Sequence, residues 1–477
     1  MAINSLFGTK GIVAGLTIAL ITTMLYFVEI ETAEAIPAFA RKYQANCALC
    51  HSNEPRLTPF GQKFLSNGYQ FPGTQDGDSA GKIVLDGAQG PATVDQLSNM
   101  MAVRVRADIS RSSFNTAPSN TLEDTVIDVP GTVNVYFAGT VTKNISYMLE
   151  TQIKEILSMD RGYLQFSNVG GVQGAVNVKV GQFDPASLYS FPTHRQQINP
   201  IGPRLANNAS GDEKAEADTI TDVYRIPLVP LAFTYKMYGL KSTSGTATKL
   251  LLPFQPSLYN APSQSGISVH GRPFGDNHGF LYQVGLAQNT DTSGLQRTDT
   301  YFMGRYDFDA GGIATQVSGF YYQAPDAASF TVMATPANSQ GTTDITRMGI
   351  GARAQWDEFD IYGTYVTDKI DVSTAMMPSM WEEAGSALSL EGDWRFDPNW
   401  MVGVRYDQMS PGGMKAMAID SSFLALIGKY YPSPNIAFYA SYHQNLEDST
   451  VLMAGAGGQH PAVNLRNTAL LGVDMAF

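Results

Sequence analysis

Charge is scarce in this chain of 477 residues: Asp, Glu, Lys and Arg together make up 16%, where an ordinary soluble domain carries about 25%. That shortage argues against a soluble cytoplasmic enzyme. No run of Lys and Arg occurs and the formal net charge is −12, so no basic face exists to neutralise phosphates, and nucleic acid is not an expected partner. Only one long apolar run is present, near the N-terminus, and the mean hydropathy of −0.11 is too low for a bundle of membrane helices. Cysteine is nearly absent, with two in the whole chain. What the sequence has instead is 45 glycines, 25 prolines, 23 tyrosines and 24 phenylalanines, a composition of turn-separated strands bearing aromatic side chains.

The apolar run follows Lys10, extends from residue 11 to 28, and precedes Ala33-Glu34-Ala35, a small-x-small cleavage pattern. Residues 1–35 therefore read as a secretory signal. A retained transmembrane helix is the alternative, and the cleavage pattern weighs against it. Either way the body of the protein is exported.

The two cysteines stand in Cys47-Ala48-Leu49-Cys50-His51, and C-x-x-C-H is the attachment signature of c-type haem. Two thiols on one short turn form thioethers with the two vinyl groups, and the adjacent imidazole becomes the proximal iron ligand. A disulfide between Cys47 and Cys50 would close a strained loop for little stabilisation. Zinc would need further ligands, yet His51 is the only histidine before residue 194. A thioredoxin-like pair would need a βαβ context that is missing. Around the motif, Phe39 and Tyr43 share one face of an expected short helix. Thr58-Pro59 opens a second helix carrying Phe60 and Phe64, and Gly68 stops it. These aromatics wall a haem face or form a small apolar core. Residues 36–74 thus read as a monohaem mini-domain too small to bury a porphyrin alone. Its sixth ligand is open. Met100 and Met101 are the nearest methionines, although both read more simply as the start of the first strand; an asparagine, a water or His194 are further options.

A polar stretch rich in Gly and Asp, residues 75–98, reads as a linker. Beyond it, residues 99–477 show repeated alternation with a period of two. In the stretch 387–396, Leu388, Leu390, Trp394 and Phe396 share one face, while Ser389, Glu391, Asp393 and Arg395 share the other. After the turn at Asp397-Pro398-Asn399, Trp400, Val402, Val404 and Tyr406 oppose Met401, Gly403, Arg405 and Asp407. The same pattern recurs at 348–356, at 436–443 and in the last segment, which ends in Phe477. A polar face of glycines, arginines and carboxylates suits a watery lumen better than a closed sandwich core. The expected fold is mostly β: a transmembrane antiparallel β-barrel of about 16 strands, preceded by a small α-helical c-type cytochrome domain. Short turns at Lys143-Asn144, Asp357-Glu358 and 397–399 are expected on the periplasmic side. Longer stretches at 189–219, 253–275 and 324–345 are expected outside. Phe191 to Arg195 reads as an external loop, with folding into the pore as its alternative.

The N-terminal pattern resembles the fused outer-membrane cytochrome-porins that act as iron(II) oxidases in iron-oxidising bacteria. The resemblance rests on the signal, Ala38-Phe39-Ala40-Arg41-Lys42-Tyr43-Gln44, Cys47-Ala48-Leu49-Cys50-His51, Leu57-Thr58-Pro59-Phe60-Gly61-Gln62-Lys63-Phe64 and Asn67-Gly68-Tyr69. Over the rest of the chain it is one of architecture and length. It implies one covalently attached haem c held by Cys47 and Cys50, with His51 as the proximal ligand, in a small domain plugging the pore. It also implies that extracellular Fe(II) gives one electron to this haem, which passes it to a periplasmic cytochrome or copper protein, with the barrel in outer-membrane lipid. Candidate iron contacts are the lumen-facing Glu391, Asp393 and Asp407 and the expected loop residues His194, His270 and His278, all of which also read as ordinary pore and loop polars. A porin with a purely structural haem plug, and an outward electron conduit, are the competing functions.

Overall fold

The computed structural model describes residues 38–53, 56–71, 83–85, 92–94, 97–116, 120–153, 157–183, 238–240, 248–250, 264–275, 279–290, 296–332, 339–372, 381–382, 384–410, 413–414, 421–446 and 463–477. The expected signal at 1–35, Phe191 to Arg195 and His278 lie outside them.

Sixteen antiparallel strands close into one barrel. In chain order they are β1 (Met101–Thr116), β2 (Asn120–Thr142), β3 (Ile145–Ile153), β4 (Leu157–Phe166), β5 (Asn177–Phe183), β6 (Gln264–Gly271), β7 (Phe280–Thr290) and β8 (Gln296–Asp309). Then follow β9 (Ala314–Val332), β10 (Ser339–Trp356), β11 (Phe359–Val372), β12 (Ala384–Asp397), β13 (Trp400–Ser410), β14 (Ser421–Ser433), β15 (Ile436–Asn445) and β16 (Val463–Ala476). Each strand pairs with its neighbours in sequence, and β16 closes on β1. The last residue finishes the seam: Phe477 and Val103 exchange backbone hydrogen bonds of 2.8 and 3.1 Å. Full closure leaves no strand edge without a partner, which a bilayer requires.

The alternation read from the sequence sorts side chains by solvent. On β12, Leu390 and Trp394 are 48% and 46% exposed on the outer surface, while Ser389 and Glu391 are 0% and 2% exposed inside. On β13, Val402 and Val404 face out and Arg405 and Asp407 face in. The outer surface is an apolar band, and aromatic rings gather on it at one end. Trp356, Phe359, Trp394 and Phe396 form a chain of ring contacts across β10, β11 and β12, and the separate pairs Trp400–Tyr430 and Tyr306–Phe308 lie at the same end. Such a girdle marks a membrane-water interface.

That end also carries the short turns at 143–144, 310–313, 357–358 and 398–399, the start of β1 and the end of β16. Two expected loops correct inward. Gln264–Gly271, within the long stretch 253–275 expected outside, is the wall strand β6. Most of 324–345 extends β9 and β10, which stay paired out to Val332 and Ser339. In both places neighbouring strands supply the backbone partners that weak local β-propensity cannot signal. The linker also holds structure, a small hairpin pairing Ile83–Leu85 with Ala92–Val94.

Candidate functional site

Three short helices carry the N-terminal motif: α1 (Ala38–Tyr43), α2 (Cys47–Cys50) and α3 (Pro59–Ser66). Asn46 caps α2 by accepting from the Ala48 amide at 2.9 Å. Thr58 caps α3, accepting from the Gly61 amide at 3.0 Å while its hydroxyl donates to the Leu49 carbonyl at 2.7 Å. One threonine therefore ties α3 to the C-x-x-C turn. A second tie is the Thr58 amide donating to the Cys50 carbonyl at 2.9 Å. Gly61 allows this approach, since a Cβ there would drive into the Cys50 carbonyl oxygen. The stop expected at Gly68 is present: its φ is +70°, and the Tyr69 amide returns to the Phe64 carbonyl at 3.0 Å.

The aromatics expected around the motif form a core. Phe39 stacks on Tyr69 at 5.0 Å and meets Phe64 edge-on at 5.2 Å; Tyr43 stacks on Phe71 at 4.5 Å, and Phe60 meets Phe71 at 5.4 Å. These rings are continuous with a cluster from the barrel wall that includes Tyr163, Phe183, Leu281 and Met303. The segment thus has no independent core, and wall side chains complete it.

Polar contacts hold it at the short-turn end. Arg41 donates to the Met101 carbonyl at 2.7 Å, Gln70 to the Lys143 carbonyl at 3.0 Å, and Gln316 to the Gln62 side chain at 2.8 Å. Gln165 donates to the Ser66 carbonyl at 2.9 Å, and the Tyr69 and Tyr163 hydroxyls are bonded to each other. Burial, followed by Tyr163, pushes the Tyr69 phenol well above its ordinary range. Every wall partner here lies near the short-turn end of its strand, so the segment plugs that mouth.

The centre of the plug contact is Arg56. Right after the motif, His51–Asn53 pairs with Arg56–Leu57, and His51 lies opposite Leu57. From this small ladder the Arg56 side chain, fully buried, enters a socket of Glu391, Asp393 and Asp360, the last at 3.2 Å, with its guanidinium 4.5 Å from the Tyr362 ring centre. Burial opposes its charge, but Asp393, Asp360 and Glu391 outweigh that and hold the guanidinium well above its ordinary value. Wall residues complete the grip. Arg353 donates to the Leu57 carbonyl at 2.7 Å and the Ser52 hydroxyl at 3.1 Å, Ser52 donates to Asp360 at 3.0 Å, and Arg395 donates to the Ser52 carbonyl at 3.2 Å.

Cys47 and Cys50 lie on one helical turn, partly accessible and not joined in a disulfide. Ala48 and Leu49 between them are exposed, Leu49 at 40%. Burial, then Cys47, pushes the Cys50 thiol up to about 11. Two accessible thiols on one turn, followed at once by an imidazole, form a donor set that fits a covalently attached haem.

The other expected site residues are dispersed. Met100 ends a four-residue helix, α4 (Leu97–Met100), and its sulfur accepts from the Tyr147 hydroxyl at 3.0 Å; Met101 opens β1. His270 is no loop residue: it sits on β6, buried inside, 3.4 Å from the Ser66 carbonyl. Glu391 and Asp393 face the lumen as expected but hold Arg56, and Asp407 pairs with Arg405 at 2.7 Å. Among the described residues no three His, Cys, Asp or Glu gather as a metal site. The socket itself was not foreseen. Its one sequence signal is an arginine five residues past the motif histidine, and its carboxylates lie more than 300 positions away.

No protein-family model matches the chain, and no curated protein sequence matches it. Solved structures similar to it include the outer-membrane protein OmpT of Vibrio cholerae, 12% identical over 81% of this chain and 98% of that one, with a TM-score of 0.43. Salmonella typhi OmpF, solved with daunomycin, is 12% identical over 83% of this chain and 100% of its own, with a TM-score of 0.45. An anion-selective porin of Comamonas acidovorans is 13% identical over 79% and 99%, with a TM-score of 0.45.

Proposed function

We propose that this protein sits in a bacterial outer membrane and carries electrons from extracellular Fe(II) to a periplasmic carrier, using a haem c bound by Cys47, Cys50 and His51. The observation that carries the reading is the C-x-x-C-H turn built into a plug at the short-turn mouth of a membrane barrel. Short turns and both ends of a barrel chain belong to the periplasmic side. The motif then stands on the periplasmic side, with the barrel lumen between it and the outside.

The bound haem would supply one-electron exchange. The chain's own residues do the rest. Cys47 and Cys50 tether it, His51 supplies an axial nitrogen, and Thr58 and Gly61 fix the turn from which these groups project. Fe(II) loses one electron to become Fe(III) on the outer side, and the periplasmic cytochrome or copper protein gains it. Glu391, Asp393 and Asp407 are engaged with arginines, and outer-sphere transfer from iron would need no ligand cluster.

A free-diffusion porin fits less well, because a built plug with a fully buried arginine occupies one mouth. The test is anaerobic visible spectroscopy of the detergent-purified protein titrated with Fe(II), together with a covalent-haem stain. Growth of reduced c-type bands, followed by reduction of an added oxidised periplasmic cytochrome, is the expected result. A covalently held haem that dithionite reduces and Fe(II) does not would favour the outward conduit or the structural plug.

A further inference from the structure

The barrel wall carries negative charge that its own residues do not balance. Around the socket, β11 contributes Asp360 and Tyr362, β12 contributes Glu391 and Asp393, β10 contributes Arg353 and β13 contributes Arg405 and Asp407. Four carboxylates thus face three wall guanidiniums, one of which, Arg395, is turned to the Pro398 and Ser52 carbonyls. Arg353 is spent on Asp360 at 2.7 Å, and Arg405 is closer to Asp407, at 2.7 Å, than to Glu391, at 4.0 Å. Glu391 and Asp393 therefore depend on a cation from outside the wall. Arg56 of the plug supplies it, at full burial and with its flat face on Tyr362. Buried carboxylates without a cation are costly, and so is a buried guanidinium without its carboxylates, so neither partner is content alone.

We propose that Arg56 is the positioning residue that seats the plug by pairing the buried carboxylates of the wall, and that the barrel behind it is a channel that opens when either side of this pair is left unmatched. The neutral contacts around the rim, such as Gln316 with Gln62 and Gln165 with the Ser66 carbonyl, set the plug's orientation. They lose only ordinary hydrogen bonds to water when the plug leaves. The Arg56 socket differs, because wall and plug are each left with uncompensated charge. Since Arg56–Leu57 pairs with the strand that starts at His51, the seat also fixes where the motif stands in the mouth.

The test uses the full-length purified protein and reads no haem or iron signal, so its outcome is independent of the electron-transfer reading. Three variants are compared: Arg56→Met; the same change combined with Glu391→Gln and Asp393→Asn; and Glu391→Gln with Asp393→Asn alone. Each is checked for a folded barrel by heat-modifiable migration on gels. Proteinase K cleavage within 38–71 and conductance in planar bilayers are then measured. Arg56→Met should raise both the cleavage rate and the time-averaged conductance by about tenfold or more over the native protein, as expected for breaking a buried ion pair from one side. Neutralising the socket as well should return both close to native, because a neutral pair no longer demands a partner. If Arg56→Met fails to fold, the wall variant takes its place: it leaves Arg56 only Asp360, which Arg353 also holds, and should release the plug similarly. A folded single-sided variant that is as protected and as closed as the native protein overturns the proposal. So does a neutralised socket as leaky as Arg56→Met, or a native protein that already conducts steadily.

Discussion

A methyl group at Gly61 would meet the carbonyl oxygen of Cys50, a backbone atom that cannot swing aside. Gly61→Ala should therefore push α3 off the motif turn at a cost of about 1–3 kcal/mol, read as a lower haem-to-protein ratio with the barrel still folded. Gly68→Ala acts on the other end of α3. Its φ of +70° disfavours any side chain, and a Cβ would come within 2.6 Å of the Ser146 hydroxyl oxygen. At the same scale, if Cys47, Cys50 and His51 hold a haem as proposed, His51→Ala should change the visible spectrum of the haem that stays attached, because an axial nitrogen is lost. Arg56 sets a pH expectation. Its guanidinium is held above an already high ordinary value, and a cation with a raised folded-state pKa contributes stability that persists until pH climbs past its unfolded value. Since an arginine titrates only above about 12, any change in protease protection of the plug below that pH should come from the carboxylates that face Arg56 and not from Arg56 itself.

The strands are where a one-dimensional pattern and a three-dimensional surface agree most closely. Alternation at 387–407 sorted Leu390, Trp394, Val402 and Val404 outward and Ser389, Glu391, Arg405 and Asp407 inward, because successive side chains of a pleated strand point to opposite faces. Leu390, on the outer surface, and Ser389, on the inner, make a matched pair for testing this. Leu390→Arg should destabilise the barrel by about 2–4 kcal/mol if it lies near the bilayer midplane, measured by urea unfolding in lipid vesicles, while Ser389→Ala should be near neutral. The strands missed by the sequence, β6 and the outer parts of β9 and β10, failed for one reason. Apolar residues are sparse in them, Ile267 and Val269 on β6 and Phe330 and Val332 on β9, so a period of two is short there, and they are strands because their neighbours pair with them.

At the scale of the whole molecule, a barrel of sixteen strands encloses a lumen wide enough to admit a small domain, and the helical segment closes the mouth where the short turns lie. A plug that borrows its core from the wall should not fold when cut free. A fragment of residues 36–74 is accordingly expected to give a disordered circular-dichroism spectrum before haem attachment, whereas the barrel from residue 97 onward should refold in detergent. In the complete protein, replacing both Cys47 and Cys50 by alanine should abolish covalent haem and any Fe(II)-dependent spectral change while leaving heat-modifiable migration intact. Loss of the barrel in that variant would show that the motif is needed for assembly rather than for electron transfer.

The sequence by itself determined what is local or periodic. Cys47, Cys50 and His51 are adjacent, Thr58, Pro59 and Gly68 bound one helix, and a period of two sorts the faces of a strand, so each is written within a few residues. The approximate strand number followed from repeating that last rule. Only the tertiary structure decided which carboxylates meet Arg56, which histidine faces the lumen, and how the last residue closes on β1. Those pairings join residues hundreds of positions apart, and closing the barrel is what brings them within hydrogen-bond distance.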